Sequence, residues 1–346
     1  LRGKIHIFKS CLSGKGFLMV LITGANGFVG SSVLKYLISR GYKALGTVRH
    51  SSDLRRLKGF DKHLRFADMT DLNTLVNAMS GCSAMVHCAA RSLDWGKKQD
   101  FWAVNVQGVQ NIVNAAIETK TVRKVVYIST ANVAGFGKRN MVESSEISRR
   151  LLFLYSRTKL EGERTAQTLC RKNGIAIIVL RPSAVYGPED WKWSYEMIDR
   201  IAHSYWPLIN SGQAIFTPVY IENLNQAIVL ALKSTVSGGI FNITDDITVS
   251  WREFCDKIAN HLGVPLNYRN FPSIVALIIA TLIGSFQNIF KPNKPPDITL
   301  YRVLRSTKDF HYSCEHAKNM LGYKPNSDID SHIKKTVKWY LTVMDQ

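Results

Sequence analysis

The sequence predicts an α/β protein, a doubly wound parallel sheet followed by a smaller C-terminal lobe, and three observations predict it. Six short apolar runs alternate with helix-periodic segments between Met19 and Leu180, the order that builds a parallel sheet with helices on both faces. The last of these runs, Ile175-Ala-Ile-Ile-Val-Leu180, is apolar throughout, as a strand covered on both sides must be. The first, Met19-Val-Leu-Ile22, enters Thr23-Gly24-Ala-Asn-Gly27-Phe-Val-Gly30 and then a helix opening at Ser31.

That placement of three glycines between a strand and a helix is what a dinucleotide site requires. One glycine makes the tight turn, one lets backbone N–H groups approach a pyrophosphate, and one allows close packing of helix on strand. The fold class is therefore Rossmann-type.

The remaining elements follow in order. Tyr42–Val48 reads as a second strand, ending at Arg49-His50-Ser51-Ser52. An acid at this strand end would hold the adenosine ribose hydroxyls; Arg49 with neighbouring hydroxyls suits a 2′-phosphate, which favours NADP over NAD. His63–Ala67 is a third strand, and Asp71 or Thr70 caps a helix over Leu72–Met79. Ser83–His87 is a fourth strand leading into Cys88-Ala89-Ala90, small residues that admit close approach of a cofactor; His87 itself reads as a packed strand histidine. Lys97–Thr119 has helical periodicity that Asn105 interrupts, as a surface amide or as a buried polar group with a task.

Val125–Ser129 is a fifth strand stopping at Thr130, at the strand end where open α/β sheets place their chemistry. Tyr155 and Lys159 share one face of a helix running to Arg171, and a cation beside a phenol lowers its pKa. After the sixth strand comes Arg181-Pro182-Ser183-Ala184-Val-Tyr-Gly-Pro188. Trp191, Trp193 and Trp206 then mark a substrate pocket or a second small core. The segment Gly239–Thr244 and helices after Ser250 and His316 close the chain. Residues 19–188 with about 215–245 form the expected cofactor domain, and 189–214 with 246–346 the substrate lobe.

Composition narrows the function classes. At 346 residues, 46% hydrophobic and 21% charged, the chain is that of an ordinary folded protein. Its net charge of +19 is spread along the whole length without a basic run interleaved with aromatics, which argues against a nucleic-acid partner and for a generally basic surface with salt-sensitive attraction to anionic lipid. The six cysteines are dispersed with no metal-ligand spacing, so no metal is expected, and reduced thiols point to a cytoplasmic compartment. Residues 1–18 carry Arg2, Lys4, Lys9 and Lys15, but the apolar run Phe17–Ile22 is too short for a secretion signal. That leader is expected to lie outside the fold.

Together, Thr23-Gly24-x-x-Gly27-x-x-Gly30, Asp68, His87-Cys-Ala-Ala90, Asn105, Ser129-Thr130, Tyr155-x-x-x-Lys159 and Arg181-Pro-Ser-Ala-Val-Tyr-Gly-Pro188 resemble the extended short-chain dehydrogenase/reductase superfamily of NAD-dependent epimerases and dehydratases, from about Met19 to the C-terminus. The resemblance implies that Tyr155 donates or accepts the proton at the reacting oxygen. It implies that Lys159 lowers the Tyr155 pKa and holds the nicotinamide ribose, that Thr130 bonds the substrate oxygen, and that Asn105 supports a proton relay. By the same resemblance the cofactor lies against Gly24, Asn26, Gly27, Phe28, Val29 and Gly30, takes Arg49, Asp68 and Met69 at its adenosine end, and reaches Ala89, Ala90, Tyr155, Lys159, Pro182 and Ser183. A homodimer with a small-molecule substrate is also implied.

Two readings compete within the superfamily. Nucleotide-sugar epimerases and dehydratases commonly show Asn at the position of Ala184 and an Arg-Asp pair where this chain has Phe216-Thr217. Their absence, with the Val48-Arg49 strand end, favours the branch of dihydroflavonol reductases and 3β-hydroxysteroid dehydrogenases, acting on a carbonyl or secondary alcohol. A third class, a cofactor-binding regulatory protein without catalysis, is disfavoured by the intact Thr130, Tyr155 and Lys159. Residues 273–290 carry no charge and read either as a helix packed over the lobe or as an apolar lid or peripheral membrane contact admitting a hydrophobic substrate.

Overall fold

The computed structural model describes residues 19–145, 153–203, 206–265, 268–290 and 295–345. The leader, residues 1–18, lies outside the described residues. The main sheet has seven parallel strands, β1 (Met19–Thr23), β2 (Lys43–Val48), β3 (Leu64–Phe66), β4 (Ala84–His87), β5 (Lys124–Ile128), β6 (Ala176–Pro182) and β7 (Gly238–Ile243). Their order is β7-β6-β5-β4-β1-β2-β3. It reverses direction between β1 and β4, the switch point at which such sheets bind ligands. The sequence predicts six strands; the seventh, β7, falls on the segment around Gly239–Thr244 and pairs with β6 from Gly238↔Ile177 to Ile243↔Pro182.

Alternation of side chains sets the two faces of the sheet. Val20, Ile22, Val126, Ile178 and Leu180 point to one side, where the helices Phe28–Ser39 and Ile221–Lys233 cover them. Leu21, Val125, Tyr127, Ile177 and Val179 point to the other, under the helices Leu72–Met79, Gly108–Thr119 and Leu154–Lys172. All seven residues of β6 are buried, which explains its unbroken apolar character. The Leu72–Met79 helix starts where Asp71 accepts the N–H groups of Asn73 and Thr74, a cap that stabilises by about 1 kcal/mol.

The C-terminal part adds a second sheet in the order Val249–Ser250, Ile215–Phe216, Phe310–Tyr312, Lys138–Met141, with helices around it. Its core is aromatic: Phe216 stacks on Trp251 at 4.5 Å and on Phe310 at 5.6 Å, and Trp193 on Phe254 at 5.9 Å. Trp193 is thus a core residue, and Trp191 packs against Tyr195 and Trp339. Among the described residues no helix is long and apolar enough to cross a membrane.

Candidate active site

The glycine turn after β1 is built by steric necessity. Gly24 has φ +67°, and a Cβ there would lie 2.7 Å from the Ala89 Cα; at Gly30 it would lie 2.2 Å from the Gly24 carbonyl oxygen. Only glycine fits either place. Gly27 is exposed, and the helix it begins has neither a side-chain cap nor an acid in its first turn. The N–H groups of Phe28, Val29 and Gly30, in the first turn, have no acceptor within the helix and stand at the positive end of its dipole, which suits a phosphate. Arg56 fixes the turn from outside by donating to the carbonyls of Asn26 (3.2 Å) and Glu189 (2.9 Å).

The other expected cofactor residues gather at the C-terminal ends of the same strands. Arg49 ends β2, exposed, with its N–H on Ser52 Oγ at 3.0 Å. Asp68, after β3, accepts the Thr70 N–H (2.8 Å) and hydroxyl (2.7 Å); these bonds, with a smaller contribution from the Arg49 charge, hold its carboxyl below the usual range. The Met69 carbonyl accepts from Asn111 Nδ2 at 2.9 Å, and its side chain packs against Gly108. The Ala89 N–H donates to Thr23 Oγ1 at 3.3 Å, and Ala90 is half-buried beside it. Pro182 ends β6, and the Ser183 hydroxyl lies 3.3 Å from that of Thr217. A phosphate-accepting helix end, an unobstructed glycine turn and a cation at the β2 terminus fit a dinucleotide.

Of the four residues the sequence assigns to the chemistry, Thr130, Lys159 and Asn105 lie near the ends of β4 and β5, and Tyr155 stands half-buried in the first turn of the Leu154–Lys172 helix. Thr130 follows β5, buried, accepting the Asn132 N–H with its hydroxyl. Lys159, 2% exposed, donates to the Ile128 carbonyl at 2.6 Å and sits 4.5 Å from the Tyr127 ring centroid. Burial lowers its pKa to about 8, with Cys88 and Glu163 opposing. Burial raises the Tyr155 hydroxyl well above its usual value, Tyr301 adds to the shift and Arg305 opposes it. The Lys159 ammonium is engaged by the Ile128 carbonyl and the ring of Tyr127, while the shift of the Tyr155 hydroxyl comes from burial and from Tyr301. Asn105 sits in a π-helical turn, Ala103–Gln107. Its Oδ1 accepts the Arg91 N–H at 2.8 Å, and its Nδ2 donates to the Arg91 carbonyl (3.3 Å) and to Thr158 Oγ1 (3.0 Å). These bonds make it a clamp between the loop after β4 and the Tyr155 helix. His87 is buried, with Nδ1 2.8 Å from the Thr23 hydroxyl.

Further residues shape this site, and of these Gly162 and Glu163 carry no signal in the sequence. Gly162 lets the Tyr155 helix touch the π-helical turn, since a Cβ there would fall 2.1 Å from the Asn105 carbonyl oxygen. Glu163 and Arg181 form a buried two-bond pair (2.6 and 3.1 Å) that the Ser129 hydroxyl joins at 2.7 Å. The pair ties the Tyr155 helix to β6. From the lobe, Tyr301 accepts from Asn132 Nδ2 at 2.9 Å and packs edge-on against Phe153 (5.1 Å) and Phe136 (5.8 Å). One turn on, Arg305 lies 5.2 to 5.8 Å from the rings of Trp193, Phe310 and Trp251. Its Nε is buried without a hydrogen-bond partner. The i, i+4 spacing of Tyr301 and Arg305 is visible in the sequence; that it faces Tyr155 depends on a chain reversal that local patterns do not encode.

A seven-stranded doubly wound sheet with this cradle at its switch point is the framework of the NAD(P)-dependent extended short-chain dehydrogenase/reductase enzymes. The chain belongs to the NAD dependent epimerase/dehydratase family, whose model matches residues 20–244. It is 25% identical over 329 residues to the mouse (Mus musculus) sterol-4-alpha-carboxylate 3-dehydrogenase, decarboxylating, covering 92% of this chain and 89% of that one. It is 23% identical to the 4-hydroxy-2-methyl-3-oxo-4-farnesyl-3,4-dihydroquinoline-1-oxide ketoreductase of Stigmatella aurantiaca, covering 88% of this chain and 92% of the relative. In fold it matches the Bacillus cereus UDP-glucuronic acid 4-epimerase in complex with NAD at a TM-score of 0.74, with 20% identity over 93% of this chain and 96% of that structure. The chain is accordingly an NAD(P)-dependent oxidoreductase or epimerase of this superfamily.

Proposed function

We propose that this enzyme is an NADP-preferring reductase or dehydrogenase acting on a carbonyl or secondary alcohol of a hydrophobic small molecule. The observation that carries the reading is the setting of Tyr155, a half-buried phenol near Tyr301, with Phe136, Phe153 and Tyr301 forming an aromatic cluster and Arg49 standing where an NAD-binding acid would be. The names of the mouse and Stigmatella relatives, a sterol dehydrogenase and a farnesyl-quinoline ketoreductase, agree with an apolar substrate.

In this reading the Tyr155 hydroxyl gives or takes the proton at the substrate oxygen, and the Thr130 hydroxyl bonds the same oxygen. Lys159 places a positive charge at the ends of β4 and β5, where it favours negative charge developing on that oxygen. Asn105 and the Glu163–Arg181 pair position the helix that carries both. The bound nicotinamide supplies or accepts the hydride. Arg49 selects the 2′-phosphate, and the helix end at Phe28–Gly30 holds the pyrophosphate. Residues 19–188 with about 215–245 form the cofactor domain, and 189–214 with 246–346 the substrate lobe. A homodimer follows from the resemblance and is checked by sedimentation; a cytoplasmic compartment follows from the dispersed cysteines.

The second reading, epimerisation or dehydration of a nucleotide sugar, draws support from Arg305, a guanidinium close to Tyr155 with no acid bound to it among the described residues. A panel of carbonyl compounds and nucleotide sugars separates the two. Net NADPH oxidation with the carbonyls supports the reductase. Sugar interconversion without net oxidation replaces it with the epimerase. Replacement of Tyr155 by Phe should abolish turnover while NADPH still binds; retained turnover removes Tyr155 from the mechanism.

A further inference from the structure

We propose that the helix Ser273–Phe290 is a docking face for an anionic lipid bilayer, lying along the membrane surface beside the mouth of the active site. The first observation is its inverted sidedness. A helix on a folded domain ordinarily turns its large apolar residues inward. Here small residues face the protein, Ala276 at 8% exposure and Ala280 at 2%, packing with Leu277 against Val303 and Ile209. The large residues face out: Ile274, Ile278, Leu282, Phe286 and Phe290 are 53 to 66% exposed, and Val275 and Ile283 are exposed beside them. Phe271 before the helix, Ile298 and Leu300 after it, and Leu93 are exposed as well. Exposed apolar surface on this scale marks an interaction site.

Charge selects the occupant. From Lys257 to Pro296 the chain has no Asp or Glu, and its charged residues are Lys257, Arg269, Lys291 and Lys294. The last two follow the helix directly in sequence and lie outside the described residues. An apolar face set in a basic stretch, on a chain of net charge +19, complements lipid tails below anionic headgroups. A second copy of this chain would instead bring two basic segments together across a twofold axis, which is repulsive. The helix does not span. Its 18 residues extend about 27 Å, short of a hydrocarbon core of about 30 Å, and one side is occupied by Val303 and Ile209.

The same helix packs on Leu300–Thr307, which carries Tyr301 and Arg305 to the neighbourhood of Tyr155. Asp94, from the loop after β4, accepts the Thr299 hydroxyl at 2.7 Å and Arg302 Nε at 2.8 Å, latching that loop to the same corner. Docking would thus turn the site towards the lipid. This orientation rests on the reading of Tyr155 above; the docking itself does not.

The test is flotation of the full chain with vesicles of phosphatidylcholine alone and of phosphatidylcholine with phosphatidylserine, using the unaltered protein and a Leu282→Glu, Phe286→Glu double variant. The unaltered chain should float with the anionic vesicles, less with the neutral ones, and less again at high salt. The variant should bind them on the order of tenfold more weakly or worse, with an unchanged circular dichroism spectrum and unchanged NADPH binding showing that it is folded. An unaltered chain that stays unbound to anionic vesicles overturns the proposal, as does a folded variant that floats equally well. A chain that does not float but sediments as a dimer, with a monomeric variant, also overturns it and assigns the face to a second copy. A chain that floats yet oxidises no NADPH in the presence of any of the carbonyls supports docking and removes the reductase reading alone.

Discussion

Lys159 donates to the carbonyl oxygen of Ile128 at 2.6 Å, although the helix sets it one turn from Tyr155. The ammonium is anchored at the end of β5, two residues before Thr130, and burial brings its pKa down to about 8. Below that pH the group is charged; above it the charge is lost. The alkaline limb of kcat/KM for carbonyl reduction should therefore fall as pH rises through about 8, since this parameter reports the free enzyme. Lys159→Met should lower kcat/KM by roughly 10²-fold or more and remove that limb, which a pH–rate series on both proteins checks.

Arg49 is exposed at the end of β2 and contributes to the lowered pKa of Asp68, so the two lie close together. A guanidinium there binds a 2′-phosphate but gains little from a 2′-hydroxyl. Arg49→Ala should weaken NADPH by about tenfold or more and leave NADH within about twofold, a difference on the order of 1.4 kcal/mol. Titration calorimetry with both cofactors measures it, and equal losses would sink the NADP assignment.

Gly162 allows two helices to touch. An added Cβ would lie 2.1 Å from the Asn105 carbonyl oxygen and 2.8 Å from the Tyr127 hydroxyl, so the helix of Tyr155 must move. Gly162→Ala should cost about 2–3 kcal/mol of stability, outweighing the roughly 1 kcal/mol that alanine gains in a helix interior. Urea unfolding gives the sign at once.

His87 is buried and held neutral: burial, aided by the Lys159 charge, pushes its pKa down to about 3 from 6.5. In the unfolded chain it takes up a proton below about 6.5; in the folded chain it does so only near 3. Stability from this residue is complete above about pH 6.5 and declines as pH falls towards 3, by up to about 1.4 kcal/mol per pH unit. His87→Gln should flatten that part of the stability profile, measured by denaturant unfolding from pH 7 to pH 4. An unchanged acid slope would show that other groups set it.

What the sequence could and could not disclose divides along physical lines. Local patterns are dictated by backbone geometry, so the glycine turn, the cap at Asp71 and the apolar run of β6 are legible residue by residue. Nothing local marks Gly239–Thr244 as a seventh strand, because its place at the sheet edge depends on pairing with β6 more than fifty residues earlier. The i, i+4 relation of Tyr155 and Lys159 predicts a shared helix face; which carbonyl the ammonium finds is a tertiary matter. The same holds for Asn105, whose partners come from Arg91 and Thr158, and for Arg305, whose aromatic surroundings come from three separate segments. The absence of charge over 273–290 is a sequence fact, whereas the outward direction of its large side chains needs the packing of Ala276 and Ala280.

The late arrival of β7 also bears on how the protein is made. β6 is buried along its whole length, yet its outer edge is paired only by a strand ending at Ile243. On the ribosome, everything up to Pro182 emerges with that apolar edge uncovered and must wait for the intervening chain before the sheet can close. A chain stalled in that interval exposes a ready template for intermolecular strand pairing. Chaperone demand should therefore peak during translation of this stretch and fall once Ile243 has cleared the exit tunnel.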